Sequence, residues 1–104
     1  MNDIRPRWFA RNLQSALNVL PVSVVTGARQ TGKTTLVKSL GPARAYLTLD
    51  DVGVLDQAER HPDALLSNRP VTLDEVQRTP TLLLAVKRAV DERRLAGDFL
   101  LTGS

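Results

Sequence analysis

The chain has 104 residues, of which 42% are hydrophobic and 24% charged, with a formal net charge of +3 and no cysteine. That length suits one domain or part of one, able to bury roughly two-thirds of its unfolded surface, and the missing cysteines exclude disulfides and thiolate metal sites. No apolar run approaches the roughly 18–20 residues needed to cross a bilayer, and the N-terminus lacks a signal-peptide core, so a cytoplasmic protein without membrane contact is expected.

In chain order, Phe9, Leu13 and Leu17 recur at helical spacing and predict a lead-in helix within residues 1–20. Arg5, Arg7 and Arg11 interleave there with Trp8 and Phe9, a composition able to touch nucleic acid through phosphates and stacking. The spacing favours a plainer alternative, in which Trp8, Phe9, Leu13 and Leu17 pack on the core while the arginines face water. Pro21 closes this segment, and the core of the domain is expected over residues 21–104.

Val22–Val25 predicts the first strand, and Gly27-Ala28-Arg29-Gln30-Thr31-Gly32-Lys33-Thr34 then matches the phosphate-binding pattern GxxxxGK[ST] in full. A helix-compatible stretch, Lys33–Leu40, follows and stops at Gly41-Pro42. Strand, glycine loop and helix are the context in which this pattern binds a nucleoside triphosphate. Gly27 lets the chain leave the strand, and Gly32 lets the backbone approach phosphate closely. The N–H groups of Gln30 to Thr34 are then expected to point at the anion, helped by the positive end of the helix. Lys33 would neutralise the β- and γ-phosphates, and the Thr34 hydroxyl would be a ligand of Mg²⁺. The stretch Gly27, Ala28, Arg29, Gln30, Thr31, Gly32, Lys33, Thr34 and Thr35 is the expected cofactor-binding segment. Arg29 within it reads as solvent-exposed before it reads as a contact to nucleotide or a neighbouring subunit.

Ala45–Leu49 alternates as a second strand, and Asp50 or Asp51 can cap the helix predicted over Val52–Arg60. A helical turn over Pro62–Leu66 leads to a third strand, Val71-Thr72-Leu73, which ends in Asp74-Glu75. An isolated Asp-Glu pair is usually a solvated turn. About forty residues after a phosphate loop it reads as the Walker B pair, with Asp74 holding Mg²⁺ and Glu75 polarising the water that attacks the γ-phosphate. Small-molecule kinases seldom place a glutamate here, and a GTPase more often has glycine where this chain has Gln77, so the pair favours ATP hydrolysis.

Thr79-Pro80 predicts an N-cap and a first helical residue. The helix is expected over Pro80–Ala96, with Leu83, Val86 and Val90 on one face and Gly97 as its stop. Lys87, Arg88, Asp91 and Glu92 form two i,i+4 opposite-charge pairs on a solvated face. Phe99-Leu100-Leu101-Thr102 reads as a last strand ending in a hydroxyl, a weak signal alone and a sensor of bound phosphate in this position. The single histidine, His61, reads as a surface residue, and Arg78 as a surface arginine.

The run Pro21–Leu36, then Tyr46-Leu47-Thr48-Leu49-Asp50-Asp51, Leu73-Asp74-Glu75-Val76-Gln77-Arg78-Thr79-Pro80 and Phe99–Ser104, resembles one prokaryotic group of AAA-type P-loop ATPases. Members of that group look like an N-terminal AAA domain followed by a C-terminal domain of unknown function. Alternating strands and helices imply an α/β fold with a parallel sheet covered on both faces, three layers in all, and the resemblance implies ATP and Mg²⁺ as cofactors. It implies a parallel sheet in the order β2-β3-β4-β1, with Thr102 joining Glu75 and Lys33 as catalytic groups. In such a domain a fifth strand flanks β1. The chain is therefore expected to be a partial domain whose Val22–Val25 edge is open and prone to self-association. Expected partners are ATP and either further copies of the chain or a partner protein. Binding is the firmer expectation than turnover; a binding module with little hydrolysis, or a truncated remnant, are the alternatives.

Overall fold

The computed structural model describes residues 4–26 and 44–103, with side chains from Arg11 onward. The phosphate-loop pattern, the helix expected after it and Gly41-Pro42 lie outside the described residues, as do the side chains of Trp8 and Phe9.

Helix α1 spans Ile4–Leu17. Its Leu13 and Leu17 are buried together with Val25 and Leu100, so the helical spacing read from the sequence does mark the face that docks. The chain then turns through Pro21 into β1, Val22–Thr26. Strand β2 covers Ala45–Thr48 and is followed by helix α2, Val52–Arg60. Of the two aspartates at that junction, Asp51 makes the cap: its carboxylate accepts from the Gly53 and Val54 N–H groups at 2.8 and 3.3 Å. Asp50 instead pairs with Arg78 at 2.5 Å. A short helix α3, Pro62–Leu65, precedes β3, Val71–Asp74, and a 3₁₀ turn over Val76–Arg78 leads to α4, Thr81–Glu92. Strand β4, Phe99–Gly103, completes the described fold.

The four strands form one parallel sheet in the order β1-β4-β3-β2. This is the expected order read from the opposite edge. Val22 and Val71 both lie level with Phe99, so three strands start in register. Successive side chains of a strand point to opposite faces, and here the faces differ in kind. Val71, Leu73, Phe99 and Leu101 face one side and are packed by Leu49, Ala58, Leu65, Leu66, Leu82, Val86 and their neighbours on α2, α3 and α4. The opposite face carries Ser23, Thr72, Asp74 and Thr102, all buried, beside the smaller α1 cluster. Strand β1 has one described neighbour, β4, and its Val24 is 62% exposed.

Four expectations about α4 are corrected. The hydroxyl of Thr79 lies 3.3 Å from that of Thr81, and its backbone carbonyl, rather than its side chain, receives the Leu82 N–H at 3.0 Å. The buried face is Leu82, Ala85, Val86 and Ala89, while Leu83 is 43% exposed. Val86 belongs to both sets and Val90 packs partly against the core, so the correction falls on Leu83, whose place is taken by Leu82. The helix also stops at Glu92, because Arg93 is extended. Gly97 serves a different turn. It has φ +77°, its N–H donates to the Leu20 carbonyl at 2.8 Å, and a Cβ there would come within 2.9 Å of the Leu17 carbonyl oxygen. That turn sets Phe99 N–H on the Pro21 carbonyl at 3.0 Å and so brings β4 into line with β1. Of the two charge pairs expected on the helix, Lys87–Asp91 forms at 3.2 Å, and Arg88 reaches across to Asp63 at 3.2 Å instead of Glu92.

Candidate nucleotide site

In a parallel α/β sheet, ligands bind beyond the carboxyl ends of the strands, where helix N-termini and loop backbone converge. Asp74 is the last residue of β3, and Thr102 stands beside it near the end of β4. Leu73 pairs with Leu101, so the next residues of the two strands, Asp74 and Thr102, are level and share a face. The Thr102 hydroxyl donates to Asp74 Oδ1. On the other side, Tyr46 Oη donates to Asp74 Oδ2 at 2.5 Å. Asp74 is 4% and Thr102 0% exposed. A carboxylate this buried needs donors on its oxygens, and each neighbouring strand supplies one.

Sequence reading missed Tyr46. Its contact with Asp74 spans 28 positions, and only the parallel register brings the two strands together. The one signal available was an aromatic residue with a polar tip inside a four-residue strand. Burial, then hydrogen bonding to Asp74, push the Tyr46 phenol well above its ordinary value, so it stays a protonated donor.

Glu75, 2% exposed, follows directly and takes a left-handed backbone conformation, φ 61° and ψ 45°. For a residue with a Cβ that conformation costs about 1–2 kcal/mol, and such strain clusters where function fixes the chain. It ends β3 abruptly and starts the 3₁₀ turn. Glu75 Oε1 accepts from Gln77 Nε2 at 2.6 Å. A Cβ on Gly103 would stand 3.0 Å from Gln77 Oε1, so the same side chain lies against the tip of β4. The pair Asp74 and Glu75 is thus divided between two environments, one held by hydroxyls and the other by an amide.

The opposite end of the sheet is a structural charge network. Arg44 donates to the Thr72 hydroxyl at 3.2 Å, the Val71 carbonyl at 3.0 Å and the Gly97 carbonyl at 2.6 Å. Burial lowers the Arg44 guanidinium below its ordinary value, and the nearby Asp98 charge opposes that shift. Buried Asp98 lies 3.4 Å from Arg69 and 3.6 Å from Arg93. These groups tie the strand starts together, while the candidate chemistry sits at the strand ends.

Of the residues expected to contact nucleotide, the structure brings Asp74, Glu75 and Thr102 together. Gly27, Ala28, Arg29, Gln30, Thr31, Gly32, Lys33, Thr34 and Thr35 lie outside the described residues. The donor set that is described fits Mg²⁺ arriving with a nucleotide. Mg²⁺ takes one or two carboxylates and completes its octahedron with phosphate oxygens and water. Asp74 provides one buried carboxylate, and among the described residues no cluster of three or more acidic, histidine or cysteine ligands competes with it. No helix among the described residues is long and apolar enough to cross a membrane.

The chain is 36% identical over 105 aligned residues to an uncharacterised protein of Mycobacterium bovis and, equally, to one of Mycobacterium tuberculosis. Each alignment covers 97% of this chain and 24% of the relative, so the chain spans about a quarter of the length of the curated relatives it matches. No solved structure matches it. A family profile described as an AAA domain matches residues 20–104. Those residues take in all four described strands and every candidate site residue, and on that match the chain belongs to the AAA domain family.

Proposed function

We propose that the chain is the nucleotide-binding core of an AAA-type ATPase, binding Mg²⁺-ATP at the carboxyl ends of β1, β3 and β4. The observation that carries this reading is the buried Asp74 carboxylate at the end of β3, fixed by hydroxyls from both adjacent strands. In the proposed site Lys33 and the backbone of residues 27–35 hold the phosphates, and Thr34 and Asp74 hold the metal ion. The bound metal would neutralise phosphate charge. Glu75 orients and polarises a water, and Thr102 both steadies Asp74 and lies at the strand tip facing the phosphate.

Calorimetry on the wild-type chain and on Lys33→Ala tests the site. Mg²⁺-ATP should bind the first and lose detectable binding to the second; equal affinities would refute the assignment. One observation favours a second reading, ATP binding with little hydrolysis, because the Glu75 carboxylate is already engaged by the Gln77 amide. Phosphate release separates the two. A working ATPase loses turnover in Glu75→Gln while keeping bound ATP, whereas a binding module shows the same negligible rate in both proteins. Partner proteins and further copies of the chain belong to this proposal as the things an ATPase core would act on.

A further inference from the structure

We infer that Tyr46 is a positioning residue for Mg²⁺: by holding Asp74 Oδ2, its phenol fixes the metal-binding carboxylate and thereby sets how tightly the site takes the ion. The inference rests on the ATP-binding reading above. Two features of the structure carry it.

The first is geometric. An ionised carboxylate offers about four lone-pair positions on two oxygens. Tyr46 occupies one on Oδ2, and Thr102 occupies one on Oδ1. With a donor on each oxygen the group cannot rotate about its last bond, yet each oxygen keeps acceptor capacity for a metal ion or a metal-bound water. The second is the way Tyr46 itself is held. Its ring packs on the Leu13, Leu17, Val25 and Leu100 cluster, so α1 and two strands fix the ring while the hydroxyl stays on Asp74. Outer hydrogen-bond partners of metal ligands characteristically change metal affinity by about 10–100-fold. A merely structural Tyr46 would satisfy a buried carboxylate and contribute to stability alone.

The test uses the whole chain. Tyr46→Phe keeps the packed ring and removes the donor. ATP binding is measured by calorimetry in EDTA and across a Mg²⁺ series, for the wild type, Tyr46→Phe and Asp74→Asn. Tyr46→Phe should bind ATP in EDTA as the wild type does, and should need about tenfold more Mg²⁺ for half its metal-dependent gain. Asp74→Asn should lose that gain altogether. An unchanged or lowered Mg²⁺ midpoint in Tyr46→Phe, with Asp74→Asn still defective, overturns the role of Tyr46 and leaves the ATP site standing. A wild-type chain without Mg²⁺-dependent ATP binding overturns both. A second measurement does not depend on the variant folding. Tyr46 is the single tyrosine of the chain, so 3-fluorotyrosine labelling gives one fluorine resonance. That resonance should move when Mg²⁺ is added to the ATP-loaded protein, and should not move in Asp74→Asn. A resonance indifferent to Mg²⁺ in the ATP-loaded chain overturns the inference.

Discussion

The two faces of the sheet are made from the same four strands and do different work. One face is apolar from edge to edge, with Val71, Leu73, Phe99 and Leu101 beneath three helices. The other alternates with it residue by residue and buries Ser23, Thr72, Asp74 and Thr102 beside a much smaller apolar cluster. The apolar face supplies most of the free energy that holds the strands in register. The polar face spends part of that stability on groups such as Asp74 and Thr102, whose burial is tolerated because they bond one another, and Thr72, which bonds Arg44. Period-two alternation thus lets a single strand such as β3 contribute Leu73 to the core and Asp74 to the site.

The comparison breaks most visibly at Phe99. Phe99→Ala removes a fully buried ring from the apolar face and should cost about 3–5 kcal/mol in urea unfolding, a large share of the stability of a small domain. A loss below that of any polar-face substitution would mean the stability does not reside where the packing places it. Next comes Thr102→Val, which keeps the side chain's shape and deletes the donor to Asp74. It should lose about 1–3 kcal/mol at neutral pH, because one oxygen of a buried carboxylate is left without that bond. A neutral result would show that Asp74 finds another donor.

Ser23 sharpens the contrast from the other direction. Among the described residues its Oγ is the buried side-chain oxygen without a hydrogen-bond partner, although it lies on the polar face. Ser23→Ala should therefore be neutral or stabilising by up to about 1 kcal/mol. A clear loss would mean that this hydroxyl has a task on that face. The smallest effect is expected away from both faces. Lys87 and Asp91 pair across a turn of α4 with their side chains 76% and 66% exposed, and Lys87→Ala should shift the unfolding midpoint by less than about 0.5 kcal/mol.

The described part of the site and its supports were legible where the signals are local. The apolar run closed by Asp74-Glu75, a cap at Asp50 or Asp51 and the docking residues Leu13 and Leu17 each depend on neighbours a few positions away. Helix α4 shows where that kind of reading fails. Val86 and Val90 do meet the core, but Leu82 is buried and Leu83 exposed, and periodicity alone does not choose between such neighbours. Its end escapes local reading for a related reason: Gly97 answers to the turn between α1 and β1, where its N–H meets the Leu20 carbonyl and a Cβ would crowd the Leu17 carbonyl oxygen.

By itself, then, the sequence determined the types of the described elements, the parallel α/β class and the apolar strand that ends in Asp74-Glu75, since all of these follow from composition, periodicity and short spacings. Only the tertiary structure decided that Tyr46 and Thr102 would meet Asp74 from opposite sides, that Gln77 would hold Glu75, and that Arg44 would bridge Thr72, Val71 and Gly97. Most of these contacts cross from one strand or turn to another. Their partners are set by the register of parallel strands, which is fixed when the whole sheet packs and is written in no single segment of the chain.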